Sequence, residues 1–256
     1  MGEKIIFLDI DGTLVDEHKV IPLSTKKAIR QLQQAGVHVA LATGRPPFMY
    51  EHIRKELNIQ TYVSFSGQHA VVNGETVYQR PINAQSMIAL HEQALTKKFP
   101  MVFMSDTIMR STVANHPYVK QSLARLKFPY PEVEQHFPLQ QTVYQALLFC
   151  EAENNNIKND HTDLYFLRWH KYAIDILPKG GSKAVGINKV MEALNLDHEN
   201  SYAIGDGMND FEMFQEVGTS IAMGNAVKPL KEIADYVTDS VDEDGVINAF
   251  KKFALI

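Results

Sequence analysis

The stretch KIIFLDIDGT, residues 4–13, joins a short apolar run to two aspartates and a glycine. An uninterrupted apolar run of this length is typical of a strand that is buried on both faces of a parallel sheet. Asp9 and Asp11 are therefore expected at the carboxyl end of that strand, where α/β sheets bind their ligands. Two carboxylates this close repel each other and are costly to bury unless a cation joins them. A simple turn built on Asp11, Gly12 and Thr13 is the structural alternative.

The segments that follow this strand alternate between helical and strand patterns. A helix is predicted from Ser24 to Gly36, then a strand at 37–42 and a further helix that opens at Pro46. The last quarter of the chain repeats the pattern with a helix over 182–194, a strand at 201–205, a helix at 209–216, a strand at 219–223 and a helix over 227–235. This alternation predicts an α/β fold with one doubly wound parallel sheet that takes strands from both ends of the chain.

The middle of the chain has a different pattern. Residues 163–169 and 172–177 are predicted strands, close enough in sequence to pair antiparallel. We therefore predict two domains. Residues 1–83 and 180–256 form the core, and residues 84–179 form a smaller α+β domain inserted into it.

The composition is that of an ordinary globular protein, with 45% hydrophobic and 21% charged residues in a chain of 256. A formal net charge of −5 provides no general attraction for nucleic acid or for an anionic membrane, so we expect neither partner. Cys150 is the single cysteine, which excludes an intramolecular disulfide, and we expect a buried thiol in a reducing compartment. The opening residues MGEKIIFLDI carry charges at Glu3 and Lys4, and the apolar run before Asp9 is too short for a leader or a membrane span. We therefore expect a cytoplasmic protein.

A second acidic segment, GDGMND (205–210), follows the predicted strand at 201–205. Asp206 and Asp210 are expected to join the first two aspartates at the same edge of the sheet, and carboxylate oxygens are ligands that Mg²⁺ prefers. An EF-hand loop and a dinucleotide-binding motif both lack required residues here, and no HExxH motif or cysteine pair supports zinc.

Cationic and hydroxyl groups follow two other predicted elements. Lys183 opens the helix over 182–194, where a positive charge opposes the helix dipole unless an anion binds there. The segment ATGR supplies the hydroxyl of Thr43, the small residue Gly44 and the cation of Arg45 after a strand. Taken separately, Lys183 is equally compatible with a solvated surface lysine, and Thr43 with a helix cap.

Together these segments resemble the haloacid dehalogenase superfamily of phosphatases, whose signatures in chain order are DxDGT, a strand-end Thr or Ser, a Lys and GDGxND. They stand here as DIDGT (9–13), Thr43, Lys183 and GDGMND (205–210). The domain inserted between the second and third signatures resembles the type IIB cap of the Cof-like branch, and the chain is most similar to the YkrA-like members of that branch. The resemblance spans nearly the whole chain and implies a doubly wound core with an inserted α+β cap.

The resemblance implies a role for each matching residue. It makes Asp9 the nucleophile that attacks phosphorus to form an aspartyl-phosphate, and Asp11 first the general acid and then the general base. Mg²⁺ would be held by Asp9, the backbone carbonyl of Asp11 and Asp206. Asp210 would orient the metal ligands or Lys183. The groups implied to contact the phosphoryl oxygens are the side chains of Thr43, Lys183 and Asn209, with nearby backbone from Gly12 and Gly44.

Substrate recognition is expected to depend on further residues. One of them departs from the family pattern, because the segment FSGQH has Ser66 where members commonly have Asn. In the inserted domain, Arg168 and His170 are predicted to alternate on one face of a strand, and Asp175 lies on the next strand. The candidates for substrate selection are Arg45, Ser66, Arg168, His170 and Asp175.

These inferences predict an enzyme, a Mg²⁺-dependent phosphatase of small phosphorylated metabolites such as sugar phosphates, acting as a monomer or weak homo-oligomer. A phosphomutase or phosphotransferase would use the same aspartyl-phosphate and is the first alternative. A noncatalytic protein that binds phosphorylated ligands is a more distant alternative, because binding alone requires neither Asp9 nor Asp11. Release of free phosphate without a bisphosphate activator would distinguish a hydrolase from a mutase.

Overall fold

The structure is a computed structural model that describes residues 3–256, except for the side chains of residue 125 and of residues 153–156. The chain forms two compact units. The first unit runs through Arg45 and then comprises Met49–Gln79 and Ser182–Ile256, and the second comprises Pro46–Phe48 and Arg80–Gly181. The second unit thus contains the predicted inserted domain.

The strands and helices are numbered in chain order. The strands are β1 (Ile5–Leu8), β2 (His38–Ala42), β3 (Thr61–Ser64), β4 (His69–Val72), β5 (Glu75–Gln79), β6 (Met101–Met104), β7 (Met109–Ser111), β8 (Gln145–Phe149), β9 (Leu164–Arg168), β10 (Ala173–Pro178), β11 (Ser201–Gly205), β12 (Thr219–Ala222) and β13 (Tyr236–Val237). The helices are α1 (Leu23–Gln34), α2 (Glu51–Leu57), α3 (Ala84–Thr96), α4 (Pro117–Arg125), α5 (Phe137–Gln140), α6 (Lys183–Leu194), α7 (Phe211–Gln215), α8 (Lys228–Ile233) and α9 (Gly245–Lys252).

A mostly parallel sheet forms the centre of the first unit. Its strand order is β13-β12-β11-β1-β2-β3-β4-β5. The pairs β3–β4 and β4–β5 are antiparallel, and the other neighbours are parallel. All four residues of β1 are buried, as its apolar run predicts, and side chains from α1, α6 and α9 complete the same apolar core. The predicted α/β fold with a doubly wound parallel sheet is confirmed.

The register of this sheet aligns the carboxyl ends of β1, β2 and β11 at one edge of the sheet. Leu8 in β1 lies opposite Leu41 of β2 and Ile204 of β11. The polar residues that come next after these three strands are Asp9, Thr43 and Asp206. Residues from distant parts of the sequence therefore meet at one edge of the sheet.

An antiparallel sheet with the order β7-β6-β8-β10-β9 forms the second unit. The antiparallel pairing of β9 with β10 was predicted from the sequence and is confirmed. One face of the sheet packs with α3 into a separate apolar core, which includes the buried, unpaired Cys150. Among the described residues, no helix has the length and apolar character needed to cross a membrane.

Two predicted helix starts are wrong. Helix α1 begins one residue before Ser24, whose hydroxyl donates a hydrogen bond to Asp244 instead of capping the helix. The residue Pro46 precedes a 3₁₀ turn at Pro47–Met49, and helix α2 begins only at Glu51. A proline that follows directly disfavours the helical conformation in the preceding residue, so the first of two prolines is a poor start for an α-helix.

Candidate active site

Lys183 lies between two carboxylates beyond the end of β1. The side chain is buried, and its ammonium donates hydrogen bonds to Oδ1 of Asp9 and to Oδ1 of Asp210, each at 2.5 Å. Burial alone would lower the pKa of Lys183, but Asp210 and Asp9 outweigh that effect and raise the pKa, so the ammonium stays charged. The alternative of a solvated surface lysine is wrong, because only 1% of Lys183 is exposed.

Asp210 braces the loop that follows β11. Its Oδ2 accepts hydrogen bonds from the backbone N–H groups of Asp206 and Gly207, both at 3.0 Å. The neighbouring Asn209 is exposed, and its Oδ1 would lie 2.4 Å from a Cβ at Gly207. The loop is therefore tightly packed around a glycine, and Asp210 holds both this loop and Lys183 in place.

An acidic cluster surrounds the lysine. One carboxylate oxygen from each of Asp9, Asp206 and Asp210 lies within 4.8 Å of the other two. Burial raises the pKa of Asp9 to about 8 and the pKa of Asp206 to about 7, with Asp210 adding to both rises and Lys183 opposing them. One ammonium cannot neutralise three carboxylates, so the cluster has an excess of negative charge that protons or a hard divalent cation can offset. This set of carboxylate donors fits Mg²⁺.

Gly12 lies against one member of this cluster. Its φ is +77°, and a Cβ at this position would lie 2.2 Å from Oδ2 of Asp206, so the site requires glycine. The Thr13 hydroxyl and the Asn225 amide both donate to the Asp206 carboxylate at 3.5 Å, and Asn225 also donates to the Gly12 carbonyl at 2.8 Å. Asn225 was not among the site residues predicted from the sequence, although it follows the buried strand β12 as the predicted site residues follow their strands.

Two positively charged side chains form ion pairs with Asp11. Arg45 donates from Nε to Oδ2 at 2.7 Å and from Nη2 to Oδ1 at 2.5 Å, and Lys19 donates to Oδ1 at 2.5 Å. Burial raises the pKa of Asp11, but Arg45 and Lys19 outweigh that effect, and the net pKa is lowered. Asp11 is therefore ionised in this arrangement. Lys19 was not predicted from the sequence, because it stands in the polar stretch DEHK with no feature that marks a site residue.

Thr43 connects the ends of β2 and β3. Its buried hydroxyl accepts a hydrogen bond from the backbone N–H of Arg45 at 3.2 Å, a cap-like contact, and its carbonyl accepts one from the N–H of Ser66 at 3.1 Å. A Cβ at Gly44 would lie 3.2 Å from Oγ of Ser66, so the two loops are in close contact. Ser66 has φ 51° and ψ 44°, a left-handed conformation that Asn adopts more readily than Ser.

Arg168 and His170 make contacts within the second unit. Arg168 donates to the backbone carbonyls of Cys150 at 3.0 Å and Lys171 at 2.9 Å, and Nδ1 of His170 shares a hydrogen bond with Ser122 at 2.9 Å. Their predicted alternation on one strand face is wrong, because β9 ends at Arg168 and the chain then turns towards β10. His170 lies in this turn, so the two-residue alternation of side chains in a strand does not apply to it.

Asp175 lies within β10, as predicted. Burial raises the pKa of this carboxyl to about 7, and the polar side chains of Gln145 and Trp169 beside it act against the rise. A role in substrate selection stays a prediction for Asp175, as it does for Arg168 and His170.

Comparison with known proteins identifies the family. A family profile described as haloacid dehalogenase-like hydrolase matches residues 6–250. YkrA of Bacillus subtilis (strain 168), which is named as a phosphatase, is 44% identical over 256 residues, with 100% of both chains covered. A solved structure of a hypothetical protein from Geobacillus kaustophilus HTA426 has a TM-score of 0.98 at 47% identity, with both chains fully covered. The structure of BT4131, a HAD subclass IIB sugar phosphatase, has a TM-score of 0.83 at 28% identity, and the match covers 99% of this chain and 100% of that one.

These matches agree with the site geometry, in which the residues of the four sequence signatures converge at one sheet edge. The predicted superfamily, the fold with an inserted cap and the enzyme class are confirmed: the chain belongs to the haloacid dehalogenase-like hydrolase family.

Proposed function

We propose that the protein is a Mg²⁺-dependent phosphatase that hydrolyses small phosphorylated metabolites through an aspartyl-phosphate on Asp9. The observation that carries this proposal is the buried bridge in which Lys183 joins Asp9 to Asp210. A buried ammonium beside a carboxylate nucleophile offsets the charge of an approaching phosphoryl group, which is the main requirement of phosphoryl transfer. The names of the relatives, which include phosphatases and a sugar phosphatase, support the same reaction.

The two aspartates of the first signature have separate tasks in this proposal. Asp9 attacks phosphorus, and the bond from phosphorus to the leaving oxygen breaks. Asp11 gives a proton to that oxygen and later takes one from the water that hydrolyses the aspartyl-phosphate. The ionised state in which Arg45 and Lys19 hold Asp11 is the state that can accept this proton. To act as an acid, Asp11 must first leave these partners and take up a proton.

The transferring group would be held by polar atoms at the same sheet edge. Lys183 supplies the positive charge. The other groups that we assign to the phosphoryl oxygens are the hydroxyl of Thr43, the amide of Asn209 and the backbone near Gly12 and Gly44.

The acidic cluster fits Mg²⁺, and we assign the ion to Asp9, Asp206 and the backbone carbonyl of Asp11. A bound Mg²⁺ supplies positive charge that neutralises the phosphoryl oxygens. Asp210 supports this set by holding Lys183 and the Asp206 backbone. We further propose that the inserted domain, residues 84–179, selects the substrate, and that the protein is cytoplasmic and a monomer or weak homo-oligomer.

Substitution of the nucleophile tests the proposal. Asp9→Asn keeps the shape of the side chain but removes the attacking oxygen anion, so phosphate release should fall by orders of magnitude. We would measure free phosphate from p-nitrophenyl phosphate and from a panel of phosphorylated metabolites, with Mg²⁺ or with excess chelator and without any bisphosphate. Asp197→Asn, at an exposed position, is the control. Turnover near the wild-type rate in Asp9→Asn, or in chelator, would exclude this mechanism.

A further inference from the structure

A short loop connects β3 to β4 beside the catalytic residues. Ser64 pairs with His69, so residues 65–68 form the whole connection. The N–H of Phe65 donates to the carbonyl of Arg45 at 3.3 Å, and the N–H of Ser66 donates to that of Thr43 at 3.1 Å. One side of the loop is therefore hydrogen-bonded to the segment that contains Thr43, which is predicted to contact the phosphate.

The other side of the loop lies against the start of α6. Gly67 has a φ of +96°, and a Cβ there would lie 1.8 Å from the carbonyl oxygen of Ser182. No side chain fits in that space. The loop is thus wedged between Thr43 and the residue that precedes Lys183, and all of these residues belong to the first unit.

The last residue of the loop, Gln68, has an unusual environment. Only 1% of it is exposed, and neither Oε1 nor Nε2 has a hydrogen-bond partner among the described residues. A buried amide without partners bears the full cost of its desolvation, so its presence requires an explanation such as a bound water or a functional role. The backbone of its loop lies against the segments that carry Thr43 and Lys183, so a bound substrate is one source of the missing partners.

The chemistry of the amide restricts what that ligand group can be. A glutamine side chain presents an acceptor and a pair of donors on neighbouring atoms. Phosphate and carboxylate groups only accept, and an ammonium only donates, so each would leave one amide atom unpaired. The ligand must therefore both donate and accept, and adjacent hydroxyls on a carbon chain meet this requirement at both amide atoms.

We propose that Gln68 is a specificity residue that hydrogen-bonds hydroxyl groups on the alcohol part of a phosphorylated polyol or sugar. The proposal rests on the phosphatase function proposed above and adds a specificity residue from the core unit. A site built to hydrogen-bond a hydroxyl discriminates strongly against an analogue that lacks it, because the buried polar group is then left unpaired.

A matched pair of substrates tests this inference. Sorbitol 6-phosphate and n-hexyl phosphate share a six-carbon chain and differ in their hydroxyl groups. We expect the ratio of their kcat/KM values to favour sorbitol 6-phosphate in the wild type. In Gln68→Met, which keeps the length of the side chain and removes the amide, the ratio should fall by at least about tenfold. Gln31→Met, at an exposed position on α1, is the matched control and should keep the wild-type ratio.

Thermal melting of the same variants separates recognition from a structural role. Replacing an unpaired buried amide by an apolar group should keep or raise the melting temperature, by up to roughly 6 °C. Gln68→Leu is the second variant if the methionine does not fold. A wild-type ratio near one, or a variant ratio within about threefold of the wild type, overturns the inference at any melting temperature. A wild type that releases no phosphate from p-nitrophenyl phosphate in Mg²⁺ would instead reject the proposed function.

Discussion

The buried lysine at the centre of the acidic cluster provides the most direct test of the site's electrostatics. Lys183→Met removes the ammonium and keeps an unbranched side chain of similar length. Lys183 is 1% exposed and contacts Asp9 and Asp210 at 2.5 Å each. The substitution therefore leaves two buried carboxylates without their cation, and Asp206 lies in the same cluster.

The size of the effect follows from this geometry. Breaking a buried ion pair by removing one partner costs about 3–5 kcal/mol, because the remaining charge stays buried and unpaired. A chain of this size loses roughly 2–4 °C in melting temperature for each kcal/mol of unfolding free energy. We therefore expect the metal-free Lys183→Met variant to melt about 6–20 °C below the wild type at pH 8. Excess Mg²⁺ should recover part of this loss, because the ion offsets the same carboxylates.

Thermal melts followed by circular dichroism, with chelator and then with Mg²⁺, would measure both effects. Lys189→Met is the control, because Lys189 lies on the same helix and pairs with Glu192 at the surface. An exposed pair of this kind contributes about 0–1 kcal/mol, so the control should melt close to the wild type. If Lys183→Met melts within the range of the control in chelator, the lysine does not stabilise the cluster and our account of its electrostatics is wrong.

Three further predictions follow from the same site. Gly12→Ala places a Cβ 2.2 Å from Oδ2 of Asp206, so Mg²⁺ affinity measured by calorimetry should fall at least about tenfold, and unchanged affinity would contradict the close approach. Ser66→Asn relieves the left-handed backbone at φ 51° and should raise the melting temperature by about 1–4 °C, whereas a lower value would show that Asn does not fit against the neighbouring loop. Because the pKa values of Asp9 and Asp206 are raised to about 8 and about 7 from 3.8, the folded metal-free protein binds more protons than the unfolded chain between about pH 4 and 8. Its melting temperature should therefore fall as the pH rises from 5 to 8. Mg²⁺ should reduce that fall but not abolish it, because Asp175, whose pKa is also raised to about 7, lies outside the cluster. A melting temperature that rises with pH in chelator would refute this assignment.

Several features of this protein could be predicted from local sequence. A strand that is buried on both faces needs an unbroken apolar run, so the position of β1 and of the aspartates after it was evident from residues 4–13. Such apolar runs alternate with segments of helical periodicity, and this alternation predicted a parallel sheet whose strands are connected by helices. Helix starts were less certain, because they depend on single contacts such as the hydrogen bond from Ser24 to Asp244.

The tertiary structure alone decided which side chains meet. Asp9 and Lys183 are separated by 174 positions, and no local pattern determines that Lys183 also reaches Asp210. The same holds for Lys19 on Asp11, and for Gln68, whose buried and unpaired amide is recognisable only once its surroundings are known. Periodicity and turn chemistry act over a few residues, whereas ion pairing and desolvation depend on atoms that the register of the sheet and the packing of its loops bring together.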